Sequence, residues 1–177
     1  MYIECDEKKI GTGSMRYPKF LKDNERIGLI APSFGCASEP YATRIDAAIK
    51  KLNNLGYEIV EGPNSRLSLG IGKSNTPVNC AKEVNDFFLN DYSDVIISCG
   101  GGELMCEDLE YIDFLSVARA NPKWFMGYSD NTNLTFLLPL LCDIAAIYGP
   151  CIGTFGMDKW HDSINDAYML LRGEKME

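Results

Sequence analysis

The sequence predicts an α/β protein: a doubly wound, mostly parallel sheet of about five strands with helices on both faces. Three observations carry this. Short apolar runs alternate with longer amphipathic stretches from Arg26 onward. The short runs are apolar throughout, as strands buried on both faces require, rather than alternating in and out. Every strand-like run is followed by a helix-like stretch, which makes parallel pairing through crossover helices the natural topology.

Residues 26–31, Arg-Ile-Gly-Leu-Ile-Ala, form the first strand, closed by Pro32-Ser33-Phe34-Gly35. A helix follows with Ser38 near its N-cap and Pro40 in its first turn. Ile45, Ala48, Ile49 and Leu52 share one face, and Gly56 ends it. Residues 57–60 are the second strand. Residues 61–76, rich in Gly, Ser and Asn, form a long loop of the kind that often carries function. Thr76-Pro77 opens a helix to about Asn90 with Val84, Phe87 and Phe88 inward. Residues 94–98 are the third strand, followed by Cys99-Gly100-Gly101-Gly102-Glu103 and a helix over 104–117. Residues 124–126, 130–142, 144–148 and 162–171 complete the pattern as strand, helix, strand and helix. The architecture expected is flavodoxin-like. Residues 1–24 lack a clean period and are expected to be a leader ahead of an α/β domain of residues 25–172, with 173–177 starting a linker.

The chain of 177 residues is 46% hydrophobic, enough for one full core. Its net charge of −8 argues against nucleic acid or an anionic membrane as partner. The longest apolar stretch, residues 134–141, is far too short to span a bilayer and contains Pro139. The N-terminus is charged where a signal peptide would be apolar, so a cytoplasmic location is expected. Seven cysteines are scattered without a Cys-x-x-Cys pair and are expected to be reduced. No spacing of metal ligands occurs.

Ligands of open parallel sheets bind at the carboxyl ends of the strands. Three suggestive segments fall there: 31–35, 100–103 and 127–130. In Gly127-Tyr128-Ser129-Asp130 an apolar run stops and a serine stands where a helix begins, the build of a nucleophile elbow. Ser129 serves equally well, on local sequence alone, as a plain helix N-cap, and Asn131 occupies the final glycine position of Gly-x-Ser-x-Gly. Gly100–102 lets the backbone approach a ligand and offer amides, as an oxyanion cradle or simply as a tight turn. Glu103 is a candidate for a substrate amine, and Ser33 for a substrate contact. Glu107 and Asp108 read as a solvated helix face. His161, the single histidine, lies beside Trp160 at a helix start and reads as surface packing rather than a catalytic base. Lys123 precedes its strand, at the wrong end of the sheet. The chain thus offers a nucleophile without its base.

These residues resemble the LD-carboxypeptidase family, in its branch near the microcin C immunity proteins, over about residues 17–172. The carriers are Gly-Leu-Ile-Ala-Pro-Ser (28–33), Ile-Ser-Cys-Gly-Gly-Gly-Glu (97–103), Phe-Met-Gly-Tyr-Ser-Asp-Asn-Thr (125–132) and Tyr-Gly-Pro (148–150). The resemblance implies a serine peptidase that removes a C-terminal residue across an L-to-D peptide bond, as in cytoplasmic recycling of cell-wall tetrapeptides. It implies Ser129 as nucleophile, and backbone amides of Asp130 and of Gly101 or Gly102 as the oxyanion hole. It implies a peptide or muropeptide substrate, no metal or organic cofactor, and usually a homodimer. In the family the Glu and His of the triad belong to a second, C-terminal domain, and His161 does not correspond to that histidine. The chain is therefore expected to be an isolated nucleophile domain, inactive or nearly so without that partner.

Overall fold

The computed structural model describes residues 13–174. Five strands, β1 (Arg26–Ile30), β2 (Glu58–Glu61), β3 (Val95–Ser98), β4 (Trp124–Gly127) and β5 (Ile147–Tyr148), pair in parallel in the order β2-β1-β3-β4-β5. The helices are α1 (Tyr41–Asn54), α2 (Pro77–Leu89), α3 (Phe114–Arg119), α4 (Thr132–Cys142) and α5 (Asp162–Arg172). Ile27, Leu29, Val95, Ile97, Trp124 and Met126 pack toward α1 and α5, whereas Ile30, Ile96 and Phe125 pack toward α2, α3 and α4. Successive strand residues point to opposite faces, so helices on both sides demand an apolar residue at every position. That is why the strands read as unbroken apolar runs.

The order is the flavodoxin-like one, and it reverses between β1 and β3, where such sheets open a crevice at their carboxyl edge. The turns after β1, β3 and β4 all emerge on that edge.

The predicted helix over 104–117 is the main departure. Leu104 adopts a left-handed φ of 66°, and two 3-10 turns, Met105–Glu107 and Leu109–Tyr111, follow instead. The Met105 amide is drawn off to the Asp130 carboxylate (2.9 Å), and the true helix, α3, begins only after Asp113 caps it by accepting the Ser116 amide at 2.9 Å. Asp108, expected on a solvated face, is buried at 4% exposure because the 3-10 path turns it inward. The fifth strand shortens to two residues. Helix α1 starts at Tyr41 with Pro40 at its N-cap and no side-chain cap from Ser38.

Residues 13–24, expected as a leader, lie against the domain in part. Arg16 donates to the carbonyls of Ala118, Ala120 and Cys142 at the ends of α3 and α4, and Leu21 joins the core. Residues 1–12, Cys5 among them, and 175–177 fall outside the described part. The six described cysteines are free, five buried and Cys106 exposed.

Candidate active site

Ser129 stands at the exit of β4 with a φ of 62°, a left-handed conformation that costs an L-residue roughly 1–2 kcal/mol. Sequence permits this because the turn is held from three sides. Gly127 leaves room beneath it: a Cβ there would fall 2.9 Å from Asn131 Cβ and Cγ. Asn131, fully buried in that space, donates through Nδ2 to the carbonyls of Gly100 (2.8 Å) and Tyr128 (3.0 Å), tying the elbow to the glycine turn. A glycine at position 131 could not make that strap. Asp130 folds back, and its carboxylate accepts from Ser33 Oγ (2.5 Å) and Met105 N (2.9 Å). The Ser129 amide donates to Tyr148 Oη at 3.3 Å. Ser129 makes no side-chain cap bond to α4, so the N-cap alternative does not describe it.

Ser129 is exposed and lines a cleft of about 660 Å³ shared with Gly100, Gly101 and Gly102. A Cβ built on Gly101 would stand 3.2 Å from the Ser129 hydroxyl, so only glycine leaves that approach open. Gly102 has a φ of 137°, which glycine alone adopts readily. Among the described residues, no hydrogen bond takes the amides of Gly101, Gly102 or Asp130. Unspent amides beside an exposed hydroxyl can receive the charge that develops on an attacked carbonyl oxygen.

The other expected residues are dispersed. Ser33 is buried at 2% exposure and spends its hydroxyl on Asp130, so it braces the elbow from β1 rather than facing the cleft. Glu103 is exposed outside the cleft, its amide donating to the Gly72 carbonyl at 3.0 Å. His161 is an exposed N-cap for α5, its Nδ1 accepting the Ser163 amide at 3.4 Å. Lys123 is buried and donates to the carbonyls of Phe87 (2.7 Å) and Asn90 (2.5 Å) at the end of α2. Cys99 and Cys151 also line the cleft, but neither competes as a nucleophile. Burial pushes the Cys151 thiol up to about 11, and a hydrogen bond with Cys36, then burial, holds Cys99 well above the ordinary thiol value. Arg44, Phe34, Tyr128 and Tyr148 are the site residues that sequence reasoning passed over. Tyr128, Tyr148 and Phe34 lay inside segments already singled out, and Arg44 alone carried no signal.

A strained serine at a strand exit, with free backbone amides across a cleft, defines an α/β domain of nucleophile-elbow type. Comparison with known proteins makes this specific. The LD-carboxypeptidase N-terminal domain matches residues 27–149, and the chain belongs to that family. The "probable murein peptide carboxypeptidase" of Bacillus subtilis (strain 168) is 29% identical over 163 residues, covering 91% of this chain and 49% of its own length. A MccF-like protein from Bacillus anthracis str. Ames superposes with a TM-score of 0.79 at 23% identity, over 88% of this chain and 47% of that one. The microcin C7 self immunity protein MccF in its wild-type apo state gives 0.79 at 23%, over 90% and 48%. At that identity the two structures establish the fold. The chain spans about half the length of the curated relatives it matches.

Proposed function

We infer that this chain is the nucleophile domain of a serine LD-carboxypeptidase. Its substrate is a peptide with an L-to-D C-terminal bond, such as the terminal D-alanine of a murein tetrapeptide. The observation that carries this is the left-handed, exposed Ser129 facing unspent amides in one cleft. Ser129 Oγ attacks the scissile carbonyl carbon, forming a C–O bond while the carbonyl π pair moves onto oxygen. The amides of Asp130 and of Gly101 or Gly102 receive that oxyanion. Collapse expels D-alanine as the C–N bond breaks, its nitrogen taking the proton that the base removed from Ser129. Water deprotonated by the same base then hydrolyses the acyl-serine, and the base returns that proton to Ser129.

The Ser129 proton needs a base, and His161 and Lys123 are both committed to helix ends. The Glu and His of the second domain supply base and orienter in this reading. An apolar groove of Leu109, Phe136 and Leu137 that opens beside Ser129 supports a covering partner there. A second reading, amide hydrolysis of the microcin C immunity type, is favoured by the aromatic pair Phe34 and Tyr41 in the cleft wall, with ring centroids 4.8 Å apart.

The test is release of D-alanine from a murein tetrapeptide by the chain joined to a family C-terminal domain. Ser129→Ala is expected to lower turnover by at least about 10³-fold with the fold intact. Turnover that survives the substitution would refute the nucleophile. Cleavage confined to aminoacyl-nucleotide amides would select the second reading.

A further inference from the structure

The structure assigns Arg44, on the first turns of α1, as the residue that receives the free terminal carboxylate of the peptide. This rests on the carboxypeptidase reading and adds to it the group that enforces cleavage at a chain end.

Arg44 is the one cationic side chain, among the described residues, that lines the Ser129 cleft. In a protein of net charge −8 an arginine has many carboxylates to choose from, although Arg16 bonds only carbonyls and Arg119 also lacks an ion pair among the described residues. Arg26, Arg66 and Arg172 pair with Asp94, with Asp46 and Glu61, and with Asp23 and Glu174. Arg44 makes no ion pair and no side-chain hydrogen bond among the described residues. Asp158 is the one acid on the same cleft wall, and it forms no ion pair with Arg44. Its segment is engaged by Lys51, whose ammonium donates to the Asp158 carbonyl at 2.9 Å. The Arg44 guanidinium instead lies over the Tyr41 ring, its carbon 6.0 Å from the centroid. Such a cation–π contact limits the side chain's freedom while leaving its planar fork of donors available.

Sharing a cleft with Ser129 then narrows the choice. In a carboxypeptidase the terminal carboxylate lies one residue beyond the attacked carbonyl, and one residue spans at most about 3.6 Å. The cation that reads it must therefore share the cleft with the nucleophile. Lys73, Lys82 and Lys123 are committed to Glu107, to Asp86 and to the end of α2. Glu103, the sequence's candidate for binding an amine, lies outside the cleft wall. The unpaired Arg44 guanidinium, rather than the cleft's overall charge, thus suits an anion. A guanidinium can grip a carboxylate through two parallel hydrogen bonds.

The test is calorimetric titration of the chain with two forms of one N-acetylated tetrapeptide, ending in D-alanine or in D-alaninamide. The acid is expected to bind at least about tenfold tighter, the worth of one charge-assisted pair. Arg44→Met, at an exposed side chain that leaves the fold unchanged by circular dichroism, is expected to abolish that preference without altering amide binding. Arg44→Lys should restore part of it. A preference that persists in Arg44→Met overturns the assignment, and so does a wild-type chain that binds both forms alike or neither. Ser129-dependent D-alanine release is read separately, so a clamp that fails while release persists leaves the carboxypeptidase reading standing.

Discussion

At the residue scale, chemistry depends on how little stands between Ser129 and the glycine turn. A Cβ on Gly101 would meet Ser129 Cβ at 3.0 Å and Oγ at 3.2 Å, in the space an oxyanion would occupy. Gly101→Ala is therefore expected to reduce D-alanine release by about 10²-fold or more, since a displacement near 1 Å at a reacting centre has that effect. The melting temperature should move little, because Gly101 lies on a half-exposed turn. Wild-type kinetics in Gly101→Ala would move the oxyanion site elsewhere. The Ser129 motif was legible through the resemblance carried by residues 125–132, because on local sequence alone a helix N-cap served equally well. Asn131 was not, because it departs from the glycine of the usual pattern; only the fold reveals that its amide takes over the strapping.

At the element scale, the carboxyl end of β1 is held by α2 through one buried side chain. Glu83, 1% exposed, accepts the amides of Ala31 (2.7 Å) and Asn64 (2.8 Å), binding strand and loop to the helix. Ser74 completes the brace, donating its hydroxyl to the Ala31 carbonyl (2.5 Å) and its amide to Ser33 (2.6 Å). Glu83→Ala leaves two amides without an acceptor and is expected to lower unfolding stability by roughly 2–5 kcal/mol in urea titrations. An unchanged midpoint would show that these amides find other partners. The segment after β2 read as an open loop because its partners are single polar residues far apart in sequence, which periodicity does not register. The alternation of strands and helices was legible for the opposite reason: burial on both faces imposes an apolar residue at every strand position. The false helix over 104–117 shows the limit. Its composition suits a helix, but Asp130, twenty-five residues on, takes the Met105 amide and the chain turns by 3-10 steps instead.

At the scale of the whole molecule, two buried acids set a pH dependence. Burial, with repulsion from Asp130 next, pushes the Asp108 carboxyl up to about 8 from an ordinary 3.8. Burial likewise raises Glu83 to about 7 from 4.5, opposed by the amides of Asn64 and Ala31. A carboxyl raised in the folded state is held there as the neutral acid. Its contribution is complete below the ordinary value and is lost as pH climbs through about 7 for Glu83 and about 8 for Asp108. Urea midpoints are therefore expected to fall between about pH 5 and 8.5, and Asp108→Asn, which has no charge to desolvate, to fall less. An equal fall in both proteins would mean that Asp108 ionises freely. Among the described residues no helix is long and apolar enough to cross a membrane.

The most direct measurement is a crystal structure of the chain with a peptidyl boronic acid, which mimics the tetrahedral intermediate. The expected result is a bond from boron to Ser129 Oγ, with a boronate oxygen about 2.7–3.1 Å from the amide of Asp130 and from that of Gly101 or Gly102. Boron bound at another residue, or its oxygen turned away from those amides, would contradict Ser129 as the nucleophile.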